Sequence, residues 1–178
     1  MGQYSNIKGA IAVINEMRDA GVIGQYAIGG AVAATFYVEP AATFDIDVFV
    51  GLKSSPGRVL ATLDPIYDYL VRNRRHQTSG EHIVILDWQV QFLPSDGSPL
   101  LEEALAQAVE KDVEGMPVRV FTAEHLAAIA LQLGRAKDRL RLVQFFEERV
   151  IDEARFSSII ERHGLVKRWD EFKRQIMD

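Results

Sequence analysis

Apolar residues recur at helical spacing over residues 5–20, where Ile7, Ala10, Ile11, Val13, Ile14 and Met17 make one stripe. Ser5 is placed to cap that helix and Gly21 to close it. A short apolar run at 25–28 then predicts a buried strand. An alanine-rich stretch at 31–38, stopped by Pro40, predicts a helix, and residues 44–51 predict a second strand. A helix between two apolar strands is a βαβ-like opening and points to a mixed sheet.

From Pro56 to Arg72 the residues Val59, Leu60, Leu63, Ile66, Tyr67, Leu70 and Val71 return to helical spacing, with Pro65 expected to kink or split the run. Residues 81–93 read as a strand pair turning near Asp87-Trp88, or as one long bent strand. A helix is expected at 99–109 and a strand at 116–121, the latter behind a Glu114-Gly115 turn. Thr122 caps a helical remainder with Glu124 and His125 in its first turn, and breaks fall at Gly134, near 150–152 and at Gly164. The pattern predicts an α+β fold: a mixed sheet flanked by helices over 1–121, with a C-terminal helical part, 122–178, packed on it.

Composition narrows the field. At 178 residues with 48% hydrophobic side chains the chain can build one full core. The N-terminus, Met-Gly-Gln-Tyr-Ser-Asn, has no signal-peptide pattern and no apolar run reaches membrane-spanning length, so a cytoplasmic protein with no membrane partner is expected. Zero cysteines exclude disulfides and thiolate metal sites. A net charge of -5 argues against nonspecific coating of nucleic acid, although Arg72, Arg74 and Arg75 form one basic cluster and Arg135, Lys137, Arg139 and Arg141 another. The first of these clusters is equally what the negative end of a helix attracts. The four histidines lack metal-ligand spacing, and Phe145, Phe146, Phe156 and Trp169 fall at the helical spacing of core residues.

The chemistry concentrates in residues 25–50. Gly29 and Gly30 end the first strand and open the following helix, a place where backbone approaches a ligand closely and N–H groups face an anion. Fourteen residues after Gly30, Asp45 and Asp47 flank one isoleucine. In a strand, alternate side chains share a face, so the two carboxylates point the same way and suit a hard divalent cation between them. Alone, the glycines also fit a tight turn and the aspartates a solvated strand end.

Together, the Gly-Gly turn, the helix and the Asp-x-Asp strand resemble the signature of the DNA polymerase β-like nucleotidyltransferase superfamily. That resemblance implies transfer of a nucleoside monophosphate from a nucleoside triphosphate to a hydroxyl acceptor. It implies Asp45 and Asp47 as catalytic ligands of Mg2+ or Mn2+, Gly29 and Gly30 around the phosphates, and Thr43 beside them. The stretch Leu133-Gly134-Arg135-Ala136-Lys137-Asp138 further resembles one found in abortive-infection and toxin-antitoxin nucleotidyltransferases, and implies Arg135 and Lys137 as nucleotide contacts. Ala130 and Arg141 depart from that subgroup, which often carries a lysine and an acid at these positions.

A larger departure lies at Gln91, where the family normally has its third carboxylate, because an amide can neither take a proton nor neutralise a cation. Asp87, four residues away, stands about 13 Å off along an extended strand. Two readings follow: an enzyme whose acceptor is RNA, a protein or a small hydroxylated molecule, or a degenerate nucleotide-binding or antitoxin-like interaction module. The position of Gln91 relative to Asp45 and Asp47 separates them.

Overall fold

The computed structural model describes residues 7–40, 42–52, 62–73 and 76–176. The expected Ser5 cap, the first part of the 56–72 helix with Val59 and Leu60, and the basic residues Arg74 and Arg75 lie outside them. The first helix, α1 (Ile7–Asp19), buries Ile7, Ala10, Ile11, Ile14 and Met17, the stripe that the spacing predicts. Strand β1 (Tyr26–Ile28) is buried along its whole length. The alanine-rich stretch forms only a short helix, α2 (Gly30–Ala34), before turning at Thr35. There the Thr35 hydroxyl donates to the Val32 carbonyl at 2.7 Å and competes with the helix ladder.

Strand β2 (Asp45–Val50) alternates strictly, with Ile46, Val48 and Val50 buried and Asp45, Asp47 and Phe49 on the other face. Each fully buried Val or Ile contributes about 1.5–3 kcal/mol, so this alternation fixes the strand's face and with it the direction of both aspartates. Pro65 does not kink a longer helix. It occupies the first turn of α3 (Asp64–Tyr67), which runs into a π-helical segment, Asp68–Asn73, where Arg72 pairs with Asp68 at 3.1 Å.

Residues 81–93 resolve the open choice as a hairpin of β4 (His82–Ile85) and β5 (Trp88–Pro94), preceded by a short edge strand β3 (Gln77–Ser79). The turn is Leu86-Asp87, one residue earlier than expected, and both residues have positive φ (48° and 72°) as a tight hairpin turn of this hand requires. Helix α4 (Pro99–Ala106) has Ser98 at its N-cap and stops before 109. Residues from 109 on instead form β6 (Val109–Val113), hairpinned to β7 (Met116–Val120) through Glu114-Gly115. Helices α5 (Ala123–Leu133), α6 (Ala136–Glu147), α7 (Glu153–Arg162) and α8 (Val166–Ile176) complete the chain.

The strands form one seven-stranded mixed sheet in the order β3-β4-β5-β2-β1-β7-β6. β2 runs parallel to β5 and antiparallel to β1, and β1 runs parallel to β7. Helix α5 packs against α2, α4, α6 and α7, and α2 and α4 in turn pack against β2. Phe146, Phe156 and Trp169 interlock ring on ring between α6, α7 and α8 and, with the buried Phe145, take the core role that their spacing predicts; Phe172 joins them, with centroids 4.8 to 5.6 Å apart. No described helix is long and apolar enough to cross a membrane.

Candidate active site

A cavity of about 450 Å³ opens between the sheet and the corner where α5 meets α6. Its floor is β2 and β5. Asp45, Asp47 and Phe49 line it from β2, and Gln91 and Leu93 from β5. The parallel register places Asp47 opposite Gln91 and Asp45 opposite Gln89. Paired residues on neighbouring strands share a face about 5 Å apart, so Gln91 stands directly beside the acid pair. Asp87 sits in the hairpin turn at the far end of β5 and does not replace it.

The two glycines divide their work. The Gly29 N–H donates to the Asp47 carbonyl at 2.9 Å and continues the sheet, and a Cβ at Gly29 would lie 2.5 Å from the Phe49 ring. That amide is therefore occupied, and the absence of a side chain admits Phe49. Gly30, at φ +60°, is the glycine that faces the cavity. A Cβ there would lie 2.0 Å from Asp47 Oδ2, so the carboxylate rests against bare backbone. Thr43 also lines the cavity and braces the strand entry, its hydroxyl accepting from the Asp45 N–H at 3.3 Å.

Across the cavity stand the cations. Gly134, left-handed at φ 65°, ends α5 and turns the chain so that Arg135, Lys137 and Arg141 from the start of α6 face Asp47. Arg135 donates twice to the buried Asp138, Nε to Oδ2 at 2.6 Å and Nη2 to Oδ1 at 3.2 Å, which fixes its guanidinium. Arg139 points elsewhere and donates to the Gly134 carbonyl at the end of α5. Burial, then the charge of Asp45, push the Asp47 carboxyl above its ordinary range, against the pull of Lys137, Arg141 and Arg135. Burial lowers the Arg141 guanidinium from its ordinary value.

Two carboxylates side by side on one strand face are a donor set suited to a hard divalent cation. No group of three or more His, Asp or Glu side chains able to hold a metal is found among the described residues, and Asp45 and Asp47 stand as a pair. That arrangement suits Mg2+, which is commonly held by one or two carboxylates together with substrate phosphates.

The sequence brings Asp45, Asp47, Gly30, Thr43, Arg135 and Lys137 into one cavity, and the fold adds residues that the sequence reading did not select. Arg141 belonged there to a basic cluster and departed from a motif without being chosen as a nucleotide contact, yet one helical turn after Lys137 it shares that residue's face. His82 was read with the other histidines as a structural residue without metal-ligand spacing, and the apolar wall of Leu101, Leu126, Ile129 and Leu133 was not singled out, because their lining role depends on strand and helix packing. Away from the cavity, His125 and His163 both hydrogen-bond Glu103 and serve packing.

No family model matches the chain, and no curated protein matches it. Among solved structures it is similar to the crystal structure of an antigenic nucleotidyltransferase-like protein from Paracoccidioides brasiliensis, with a TM-score of 0.65 over 97% of this chain and 89% of that one. The two sequences are 14% identical, so the likeness is one of fold.

Proposed function

We propose that this nucleotidyltransferase-like fold binds a nucleoside triphosphate together with Mg2+ or Mn2+, and transfers the nucleoside monophosphate to a hydroxyl acceptor. The observation that carries the reading is the opposition of Asp45 and Asp47 to Arg135, Lys137 and Arg141 across one cavity. Phosphoryl chemistry needs positioning and charge more than it needs reactive side chains. Asp45 and Asp47 would hold the cation, which when bound neutralises phosphate charge as the transfer proceeds.

Arg135, Lys137 and Arg141 pair with the triphosphate oxygens, Arg135 from a guanidinium already oriented by Asp138. Gly30 leaves room for Asp47 and for the phosphates next to it. The apolar wall of Leu101, Leu126, Ile129 and Leu133 excludes water and receives the flat base. The acceptor is RNA, a protein or a small hydroxylated molecule, and the Gly134-Arg135-Ala136-Lys137-Asp138 stretch favours a toxin-antitoxin or abortive-infection setting in the cytoplasm.

The test is the thermal midpoint with each of the four nucleoside triphosphates, with and without Mg2+, followed by radiolabel transfer to total RNA and to co-purified protein. A metal-dependent rise that the Asp45→Asn, Asp47→Asn double variant loses supports the reading. An absent rise, or one that the double variant keeps, overturns it. Gln91 beside Asp47 favours a second reading, a nucleotide-binding or antitoxin-like module without turnover. That module would show the rise in midpoint and no label transfer.

A further inference from the structure

An acceptor hydroxyl must give up its proton as its oxygen closes on the α-phosphorus. Resting on the nucleotidyl-transfer reading above, the geometry points to His82 as the base that takes that proton. Seven titratable side chains line the cavity: Asp45, Asp47, His82, Arg135, Lys137, Asp138 and Arg141. The arginines and the lysine are cationic donors with no acceptor site. Asp138 is buried and bound twice by Arg135. Asp45 and Asp47 are assigned to the cation, and a carboxylate holding a cation is a weak proton acceptor. Gln91 is an amide with no basic site. Among the described lining residues this leaves His82, whose neutral imidazole has a nitrogen lone pair able to accept a proton.

Its place in the sheet agrees. The β4–β5 register pairs Ile83 with Val90, so the next step puts His82 opposite Gln91, which is itself opposite Asp47. Gly29 follows on the far side of Asp47, joined to it by the 2.9 Å hydrogen bond. His82, Gln91, Asp47 and Gly29 thus form one row across four strands, with His82 two strands, about 10 Å of backbone, from Asp47. Arg135, Lys137 and Arg141 reach the cavity from α6, whereas His82 stands on the sheet itself, beyond Gln91 on the side of Asp47 away from Gly29. In phosphoryl transfer the attacking and leaving oxygens lie roughly in line on opposite sides of phosphorus. Pyrophosphate leaving towards Arg135, Lys137 and Arg141 therefore places the entering hydroxyl on the β4 side, next to His82.

Between them, the Gln91 amide is oriented by its donation to Glu81 Oε2 at 3.3 Å. In the step, a bond forms between the acceptor oxygen and the α-phosphorus and the bond from that phosphorus to the bridging oxygen breaks. The electron pair leaves with pyrophosphate, and the acceptor proton moves to the imidazole and then to solvent.

The experiment uses the full chain with Mg2+ and each nucleoside triphosphate, water and a 3′-hydroxyl RNA oligonucleotide as acceptors, and the variants His82→Ala and His82→Asn. Pyrophosphate release gives kcat and the thermal shift gives the triphosphate Kd. The expected result is a fall in kcat of about 100-fold, the usual weight of a general base, with Kd unchanged within about twofold. Added imidazole should restore part of the rate to His82→Ala. If His82→Ala does not fold, His82→Asn, closer in shape, carries the same comparison. Retained kcat in the variants, or loss of Kd together with kcat, overturns the role. So does a wild-type chain that binds magnesium and triphosphate but releases no pyrophosphate with either acceptor, an outcome that leaves the nucleotide site standing. A chain that binds no triphosphate removes the functional reading itself.

Discussion

At the scale of single residues, the contact between Gly30 and Asp47 is the tightest constraint on the cavity. Gly30→Ala must place a methyl where Asp47 Oδ2 now sits and must hold a left-handed backbone, which costs an L-residue about 1–2 kcal/mol. The expected outcome is a midpoint lowered by about 3–6 °C and a lost Mg2+ response, read by thermal melts with and without the metal. Asp47 carries the opposite sign. Its carboxyl is raised by burial and by Asp45, so the folded state holds that proton more tightly than the unfolded chain. The stabilisation is present below the ordinary carboxylate value of 3.8 and is lost as pH rises through the folded value, leaving a cost at neutral pH. Asp47→Asn should therefore raise the metal-free midpoint at pH 7 by about 3 °C, roughly 1 kcal/mol in a domain of this size, with the gain shrinking towards pH 4. A variant less stable than wild type at pH 7 would contradict this.

At the scale of elements, Glu103 on α4 ties together α5 and α7. Its carboxylate receives Arg162, His163 Nε2 at 2.7 Å and His125 Nε2 at 3.3 Å, while Thr122 Oγ1 and His125 Nδ1 lie 2.8 Å apart. The partnership with Glu103 puts the His125 proton on Nε2 and leaves Nδ1 to accept from the Thr122 hydroxyl. The Arg162 hydrogen bond, against a burial cost, then those from both histidines, hold the Glu103 carboxyl down at about 2. For a lowered carboxyl the stabilisation is complete above the ordinary value of 4.5 and disappears as pH falls towards 2. His125, lowered by burial, adds a loss as pH falls below 6.5. Glu103→Gln should cost about 2 kcal/mol at pH 7 and flatten the stability profile between pH 5 and 2, measured by denaturant melts across that range. An unchanged acid limb would show that this joint does not carry it. Because α4 and α5 supply Leu101, Leu126 and Ile129 to the cavity, loosening it should weaken nucleotide binding as well.

Elements with one buried face were legible in the chain and elements without one were not. α1 and β2 carry a clean period of burial and fall where the pattern places them. β6, Val-Glu-Lys-Asp-Val, is an edge strand exposed or half-buried throughout, so no alternation announces it. β3 is exposed at all three residues and is equally silent. The Leu86-Asp87 turn carries neither glycine nor asparagine, the usual markers of a hairpin, and only the pairing of β4 with β5 imposes its conformation.

At the scale of the whole molecule, the sheet order sets the composition of the cavity. β2 lies between β1 and β5, so the acids of one strand meet the glycine turn on one side and Gln91 on the other. The net charge of -5 is set against a local cluster of cations on α6, so an acidic chain still presents a positive wall to this cavity. Ligand linkage gives the size of the binding test: triphosphate at 100 times its Kd adds about 2.7 kcal/mol, a midpoint rise of about 5–10 °C.

The sequence by itself determined which side chains share a face. Periods of two and 3.6 fix the orientation of Asp45 and Asp47 along their strand, and of Lys137 and Arg141 along their helix, before any distant contact forms. Tertiary structure alone decided which of those faces meet. The parallel register of β2 and β5 joins Asp47 to Gln91, and the turn at Gly134 brings Arg135, Lys137 and Arg141 to Asp47 from far along the chain; such pairings are set by burial over the whole core rather than by any local pattern.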